Sequence, residues 1–263
     1  MPSTGNATDQ GKRRPHDRFE PHEIRPGGST AAGGVVQYRL DKVARVAALK
    51  GRWLDCGCCD GDYTVSLLKH GVDTATGTDI DPDRIRSAKR RWPGVNAEFL
   101  AAAAESLPFP DQHFDGVLLN EVLEHVQDQE RTLAELRRVL APGGLLVVFS
   151  PNRWFPFEGH GMVVGAHNIG SPVPLLPWLP RRLTLPVMKA RNYWPHELQT
   201  LVAHAGLEVF HLDFALPLFS HYRWLPESAI RHYQANLPRL ERSPLFRRFG
   251  VSTLVIARRL TDG

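Results

Sequence analysis

Arg52-Trp53-Leu54-Asp55-Cys56-Gly57-Cys58-Cys59-Asp60-Gly61-Asp62-Tyr63-Thr64 is the stretch on which the reading of this chain turns. A short apolar run ends in an acid, breaks into a turn of small residues, and restarts at Tyr63 with apolar residues at Val65, Leu67 and Leu68. That is the pattern of a buried strand, a tight loop and a helix start. Gly57 and Gly61 let backbone approach a ligand with no Cβ in the way, and the first helical turn offers unpaired N–H groups. A dinucleotide fingerprint would need glycines at G-x-G-x-x-G spacing. Here the order is Asp55-x-Gly57-x-Cys59-x-Gly61, an acid followed by alternating small residues. An ordinary strand-to-helix turn would also account for the loop taken alone.

Working outward, Val36, Leu40, Val43, Val46 and Ala47 recur at helical spacing, predicting a leading helix over 35–49 that Gly51 ends and that packs beside the first strand. Downstream, 74–80 reads as a strand. It is followed by Asp81-Pro82-Asp83, with Asp81 as N-cap and Pro82 at the first helical position. Asp79 closes that strand 24 residues beyond Asp55. A carboxylate there can accept from both ribose hydroxyls, as in dinucleotide folds. A third strand is expected over 97–103 and a fourth over 116–119. A helix over 129–140 is capped by Asp128 and stopped by Pro142-Gly143-Gly144, and an apolar strand over 145–150 suits the centre of a parallel sheet.

The run AESLPFPDQHFDGVLLNEVLEHV, from Ala104 to Val126, is close to the pattern of the type-11 group of class I S-adenosylmethionine (SAM) dependent methyltransferases. LRRVLAPGGLLVVFSPNRW extends the resemblance to Trp154, so that residues 40–154 carry it. The opening loop is similar to the first motif of that family, with Cys59 in place of the middle glycine. Ala103 stands where the family commonly has an Asp that meets the adenine amine. The resemblance implies a Rossmann-like α/β fold with seven strands, mostly parallel with an antiparallel last strand, and helices on both faces. It implies SAM as cofactor. Asp55, Gly57 and Gly61 would shape its methionine and ribose side, and Asp79 would hold the ribose. Ile80 would flank the adenine, Ala104 and Glu105 would stand in for the lost Asp, and Asn120 would face the reaction zone.

The 263 residues suit one such domain with insertions. Residues 1–34, rich in Pro, Gly, Ser, Thr and charge, with Lys12, Arg13 and Arg14, are expected to form a disordered tail ahead of a domain over 35–263. Two insertions interrupt the pattern. In 153–191 the prolines from Pro172 to Pro186 forbid a long helix, and the apolar content suits a lid over a greasy acceptor or contact with a membrane surface. In 216–250 aromatics (Phe219, Tyr222, Trp224, Tyr233, Phe246) mix with Arg. Pro195 opens a helix over 196–204 that Gly206 closes, and 207–214 and 252–259 read as closing strands. A net charge of +4, spread along the chain, argues against nucleic acid as the partner. No apolar run is long enough to span a bilayer, and the polar N-terminus has no signal-peptide character, so a cytoplasmic protein is expected.

Methyl transfer from a sulfonium needs in-line alignment and, for a hydroxyl acceptor, a base. His125 and His160 are the candidates, since neutral imidazole accepts a proton near pH 7. The expected activity is O-methylation of a small acceptor that is apolar, quinone-like, glycosidic or a natural product. Glu121-x-x-Glu124-His125, two carboxylates and a His expected on one helical turn, also resembles the metal-binding E-x-x-E-H of small-RNA 3′-end methyltransferases, and ubiquinone-pathway O-methyltransferases have a similar motif. The motif is widespread in relatives that look metal-free, and no metal is assigned on it. Cys56, Cys58 and Cys59 lack the second pair a structural zinc site needs, and are read as small residues filling the loop. A nucleic-acid methyltransferase and a non-catalytic SAM-binding protein are the competing classes.

Overall fold

A computed structural model describes residues 33–219 and 225–261. The tail as far as residue 32, with its basic cluster, and Tyr222 and Trp224 of the second insertion lie outside the described residues. The elements in order are α1 (Gly33–Ala44), β1 (Arg52–Cys56), α2 (Asp62–Lys69), β2 (Thr74–Asp79), α3 (Pro82–Arg91), β3 (Ala97–Ala101), β4 (Phe114–Asn120), α4 (Gln129–Val139) and β5 (Leu140–Pro151). Within the first insertion lies α5 (Arg181–Thr184), and after it come α6 (Pro195–His204), β6 (Leu207–Ala215), α7 (Glu227–Arg242) and β7 (Ser252–Arg259). The seven strands form one sheet in the order β6-β7-β5-β4-β1-β2-β3. β1 pairs in parallel with β2 and β4, while β7 runs antiparallel to both neighbours. The Rossmann-like sheet with its reversed last strand is therefore present.

Strand periodicity builds the two helical layers, because successive side chains leave a strand on opposite faces. Leu54, Cys56, Val117, Leu119, Leu146, Val148, Val255 and Ala257 pack with α4 and α6. The intervening Trp53, Leu118, Val147, Phe149, Leu254 and Ile256 pack with α1 and α2. A third cluster joins Ile85 and Ala88 of α3 to Phe99, Val65 and Cys58 beside β3. At the centre Trp53 is registered with Gly116 of β4. A Cβ on Gly116 would lie 2.2 Å from the buried indole ring, so this position has room for nothing larger.

Several local boundaries differ from the sequence reading. α1 starts at Gly33, inside the expected tail, and ends at Ala44 rather than 49. Val36, Leu40 and Val43 are buried, but Val46 is exposed, so the apolar stripe stops there. β3 stops at Ala101 because the chain turns back on itself, with Ser106 N–H donating to the Ala103 carbonyl. α4 passes directly into β5 at Leu140. Pro142-Gly143-Gly144 sits inside that strand as a bulge, with the pairing stepping from Phe114↔Leu140 to Gly116↔Leu145. The first insertion has no long helix, as its prolines predict. Phe157–Glu158 pairs with Val173–Pro174 and Met162–Val164 with His167–Ile169. The second insertion contains the 16-residue α7, which the sequence reading left unassigned.

Candidate active site

The β1–α2 loop is held from below by β2. Gly57 N–H and Cys58 N–H both donate to the Thr78 carbonyl, at 2.7 and 2.8 Å. Gly57 and Gly61 have φ of 82° and 83°, so both need the freedom of glycine. Cys59, at the position where the family has its middle glycine, is also left-handed (φ 52°), which strains an L side chain by about 1 kcal/mol. Its N–H donates to Asp79 Oδ2 at 2.9 Å, and Arg84 Nη1 donates to its sulfur at 2.8 Å. No side chain caps α2, whose N-cap is Gly61, so its first turn faces the strand ends without an intramolecular cap.

Asp79 ends β2 with both carboxylate oxygens accepting from backbone, from Cys59 and from Asp81 at 3.0 Å. Each oxygen keeps a lone pair for another donor. Burial raises its pKa. Ile80 beside it is 57% exposed, a large apolar side chain with an uncovered face next to the carboxylate. Asp55 is fully buried at the end of β1. It accepts from Thr64 Oγ1 at 2.6 Å, and burial pushes its pKa up to about 7 against the opposing effect of that bond. Ala104 and Glu105 follow β3 at the same end of the sheet, both half-buried. The Glu105 carboxylate already accepts from Gln127 N–H at 3.1 Å and so braces the loop after β4.

Asn120, the last residue of β4, is tied to a residue that the sequence reading passed over. Arg39 of α1, buried, donates through Nη1 to Asn120 Oδ1 and through Nη2 to Ser252 Oγ, each at 2.6 Å, and lies 2.9 Å from Glu121. The signal was available, since Arg39 is a cation on the apolar face between Val36, Leu40 and Val43.

Residues 121–127 form a turn and not the helical turn expected of EVLEHV. Glu121 is left-handed at φ 55°. Glu121 turns to Arg39 and Ser252, and the buried Glu124 stays within hydrogen-bonding reach of it while accepting from Ser150 Oγ at 3.2 Å. Arg191 and Tyr193, at the end of the first insertion, pin this turn. Arg191 Nη1 donates to the Val126 carbonyl at 2.5 Å, and Tyr193 Oη to the Leu123 carbonyl at 3.1 Å.

The two candidate histidines meet. The rings of His125 and His160 lie edge to face with centroids 4.9 Å apart. His160 Nδ1 lies 3.1 Å from Glu158 Oε1, which also accepts the His160 backbone N–H at 2.8 Å. Asn192 Nδ2 donates to the other Glu158 oxygen at 2.5 Å. A carboxylate only accepts, so Nδ1 carries a proton, and in the neutral ring Nε2 is the nitrogen with the lone pair. Glu158 was missed by the sequence reading, although it is the only acid in 153–191. Both ring nitrogens of His125, and Glu124 Oε1, are buried with no hydrogen-bond partner among the described residues. Burial lowers the His125 pKa to about 3 and, with Glu121 adding to it, raises that of Glu124. One ligand atom each from Glu124, His125 and His160 lies within 4.8 Å of the others. At the two ends of the first insertion, Trp154 packs against Trp194 at 5.0 Å, and the Arg153 guanidinium sits 5.1 Å over the Trp194 ring.

Against known proteins, residues 54–148 match a family model described as a methyltransferase domain. The chain is 30% identical over 204 residues to the ubiquinone biosynthesis O-methyltransferase of Cereibacter sphaeroides, covering 74% of this chain and 76% of that one. It is 32% identical over 202 residues to the protein of the same name from Rhizobium leguminosarum, covering 76% and 74%. Among solved structures it resembles a SAM-dependent methyltransferase from Mesorhizobium loti, with a TM-score of 0.59 and 19% identity over 86% of this chain and 99% of that one.

Proposed function

Because this chain belongs to the class I SAM-dependent methyltransferases, we propose that it transfers the methyl group to an oxygen of a small, apolar acceptor. SAM supplies an electrophilic methyl on a sulfonium, and the protein's task is to hold donor and acceptor in line. Asp79 uses its remaining lone pairs for the ribose hydroxyls. Asp55 and the Gly57–Gly61 loop take the methionyl end, while Ile80, Ala104 and the Glu105 backbone flank the adenine. Asn120, fixed by Arg39, borders the space between that pocket and the histidines.

The observation that carries oxygen as the target is the Glu158–His160 pair. Glu158 holds the His160 Nδ1 proton, which leaves Nε2 to accept the proton of an acceptor hydroxyl as the new bond forms. Trp154, Trp194 and Phe155 suit an aromatic or isoprenoid acceptor, and the similarity to ubiquinone-pathway enzymes supports the same chemistry. Calorimetric titration with SAM tests the cofactor half. Asp79→Ala should raise Kd by roughly 10–100-fold, the worth of hydrogen bonds to a charged group, and an unchanged Kd would sink this assignment. For the acceptor half, phenolic and quinol compounds are screened by mass spectrometry for addition of one methyl. His160→Ala should lower kcat by about 10²–10⁴ with SAM affinity intact.

The Glu124–His125–His160 cluster supports a second reading, a metal-assisted transfer. Its donor set suits a divalent ion, and the partnerless, buried Glu124 Oε1 and His125 nitrogens are the atoms such an ion would engage. A bound ion would supply Lewis acidity towards the acceptor hydroxyl. Glu158 would then orient His160 as an outer partner, as metal-ligating histidines require. Turnover lost on chelation and restored by a divalent ion, but never restored in Glu124→Gln, is expected on this reading. Full activity after chelation excludes it and leaves His160 acting alone.

A further inference from the structure

The strand end beside Asp79 is unusual for its lack of polar side chains. β3 finishes at Ala101, whose register partner on β2 is Asp79, and Ala102 N–H donates to the Asp79 carbonyl at 3.0 Å. Alanines continue through Ala104, so residues 101–104 bring only methyl groups to this point. Alternation decides which way those groups face. Ala102 and Ala104 pack against the core built on α4 and α6. Ala103, between them, belongs to none of the three cores and is half-buried. Its methyl group therefore leaves the chain on the side away from that core, two residues beyond the partner of Asp79.

The acceptors around Ala103 are engaged within the protein. Its own carbonyl accepts Ser106 N–H at 3.1 Å and closes the turn. The Glu105 carboxylate accepts Gln127 N–H at 3.1 Å, and the Glu105 carbonyl accepts Arg131 Nε at 3.1 Å. On the β2 side, Asp81 Oδ1 accepts Asp83 N–H at 2.8 Å, and its Oδ2 lies 3.7 Å from Arg84 Nε. A base lying beyond the ribose at these strand ends would thus meet the uncovered side chain of Ile80 and the alanine turn. Its ring nitrogens are acceptors, and its 6-amine is its one pair of donors. To read that amine, a site must hold a free acceptor against it. A site without one leaves nothing unpaired when the amine is missing, and so has no means of rejecting such a base.

We infer that this chain does not read the 6-position of the cofactor's purine, and that Ala103 is the residue that sets this tolerance. The inference rests on the proposed cofactor reading, in which Asp79 holds the ribose and Ile80 and Ala104 flank the base. Apolar contact with Ile80 and the shape of the turn then hold the purine, while the ribose contacts supply the polar anchoring. The site takes SAM analogues in which hydrogen or a methylamino group replaces the 6-amine.

Calorimetric titration of the full chain with S-adenosylhomocysteine, its 6-deamino analogue and its N6-methyl analogue tests the inference. In the wild type the three Kd values are expected to agree within about threefold. Ala103→Asp sets an acceptor at this point, and a hydrogen bond to a carboxylate is worth about ten- to a hundredfold in affinity. The variant should therefore prefer S-adenosylhomocysteine over the 6-deamino analogue by at least about tenfold, whatever its absolute affinity becomes. Where the charged variant does not fold, Ala103→Asn supplies a neutral acceptor, with a preference of about threefold or more. Glu105→Gln should leave the wild-type ratio unaltered. Wild-type rejection of the 6-deamino analogue by about tenfold or more overturns the inference and leaves the cofactor assignment standing. A ratio unmoved by an acceptor at position 103 removes the role given to Ala103. Failure of all three compounds to bind overturns the cofactor reading and this inference together.

Discussion

At the scale of the residue, Asp55 shows how a position that looks like part of a fingerprint acquires chemistry from burial. It lies beneath the loop, and loss of hydration favours its neutral form up to about pH 7. Because its folded pKa is raised, the stability it contributes is complete below the unfolded value near 3.9 and is lost as pH rises towards 7. The ammonium of a bound SAM would favour the ionised form, so binding should release a proton. SAM affinity is therefore expected to rise between about pH 6 and pH 8 and to flatten above it, and Asp55→Asn should remove that slope. Calorimetry in buffers of different ionisation enthalpy reads both effects, and an identical slope in the variant would refute the assignment. Cys59 belongs to the same scale. It adopts the conformation of the glycine it replaces, so the loop keeps its course and only the strain is new.

At the scale of the element, the parallel strands carry their function at one end and their tolerance for change is set by their middles. Gly116 illustrates this. It lies four residues before Asn120 on β4, and its missing side chain is the space that Trp53 occupies. Gly116→Ala forces a methyl group against a rigid, buried ring and should cost about 1–3 kcal/mol, read as a lower urea midpoint with the slope unchanged. An unchanged midpoint would mean that β1 and β4 can separate locally, against the packing described. The elements themselves were largely legible. α3 begins where Asp81 and Pro82 predict, with Asp81 accepting from Asp83 N–H at 2.8 Å, and β7 spans the expected residues. The misreadings have one cause. Pro-Gly-Gly was taken as a stop, and α4 does end at Val139 just before it, yet β4 pairs with Leu140 ahead of it and with Leu145–Phe149 beyond it, so the strand runs on through it. Likewise EVLEHV has helical composition but is held as a turn by Arg191 and Tyr193, residues far along the chain.

At the scale of the whole molecule, the sequence by itself determined the class of fold, the family and, with the family, the cofactor. Each rests on short-range signals: a strand-loop-helix pattern, an acid at a strand end, a cap, an alternation of apolar residues. Such signals act over a few residues and keep their order along the chain. Only the tertiary structure decided what the strand ends face. Glu124 and His125 leave β4 on one turn, and His160 joins them from an insertion with no periodicity. Glu158, held by Asn192 34 residues later, fixes its tautomer. Arg39 reaches Ser252 across 213 residues to hold Asn120 in place. The path of an irregular, proline-rich segment follows from packing against the completed sheet and not from local preference. Its contacts therefore exist only once the sheet, with its reversed last strand, has been assembled.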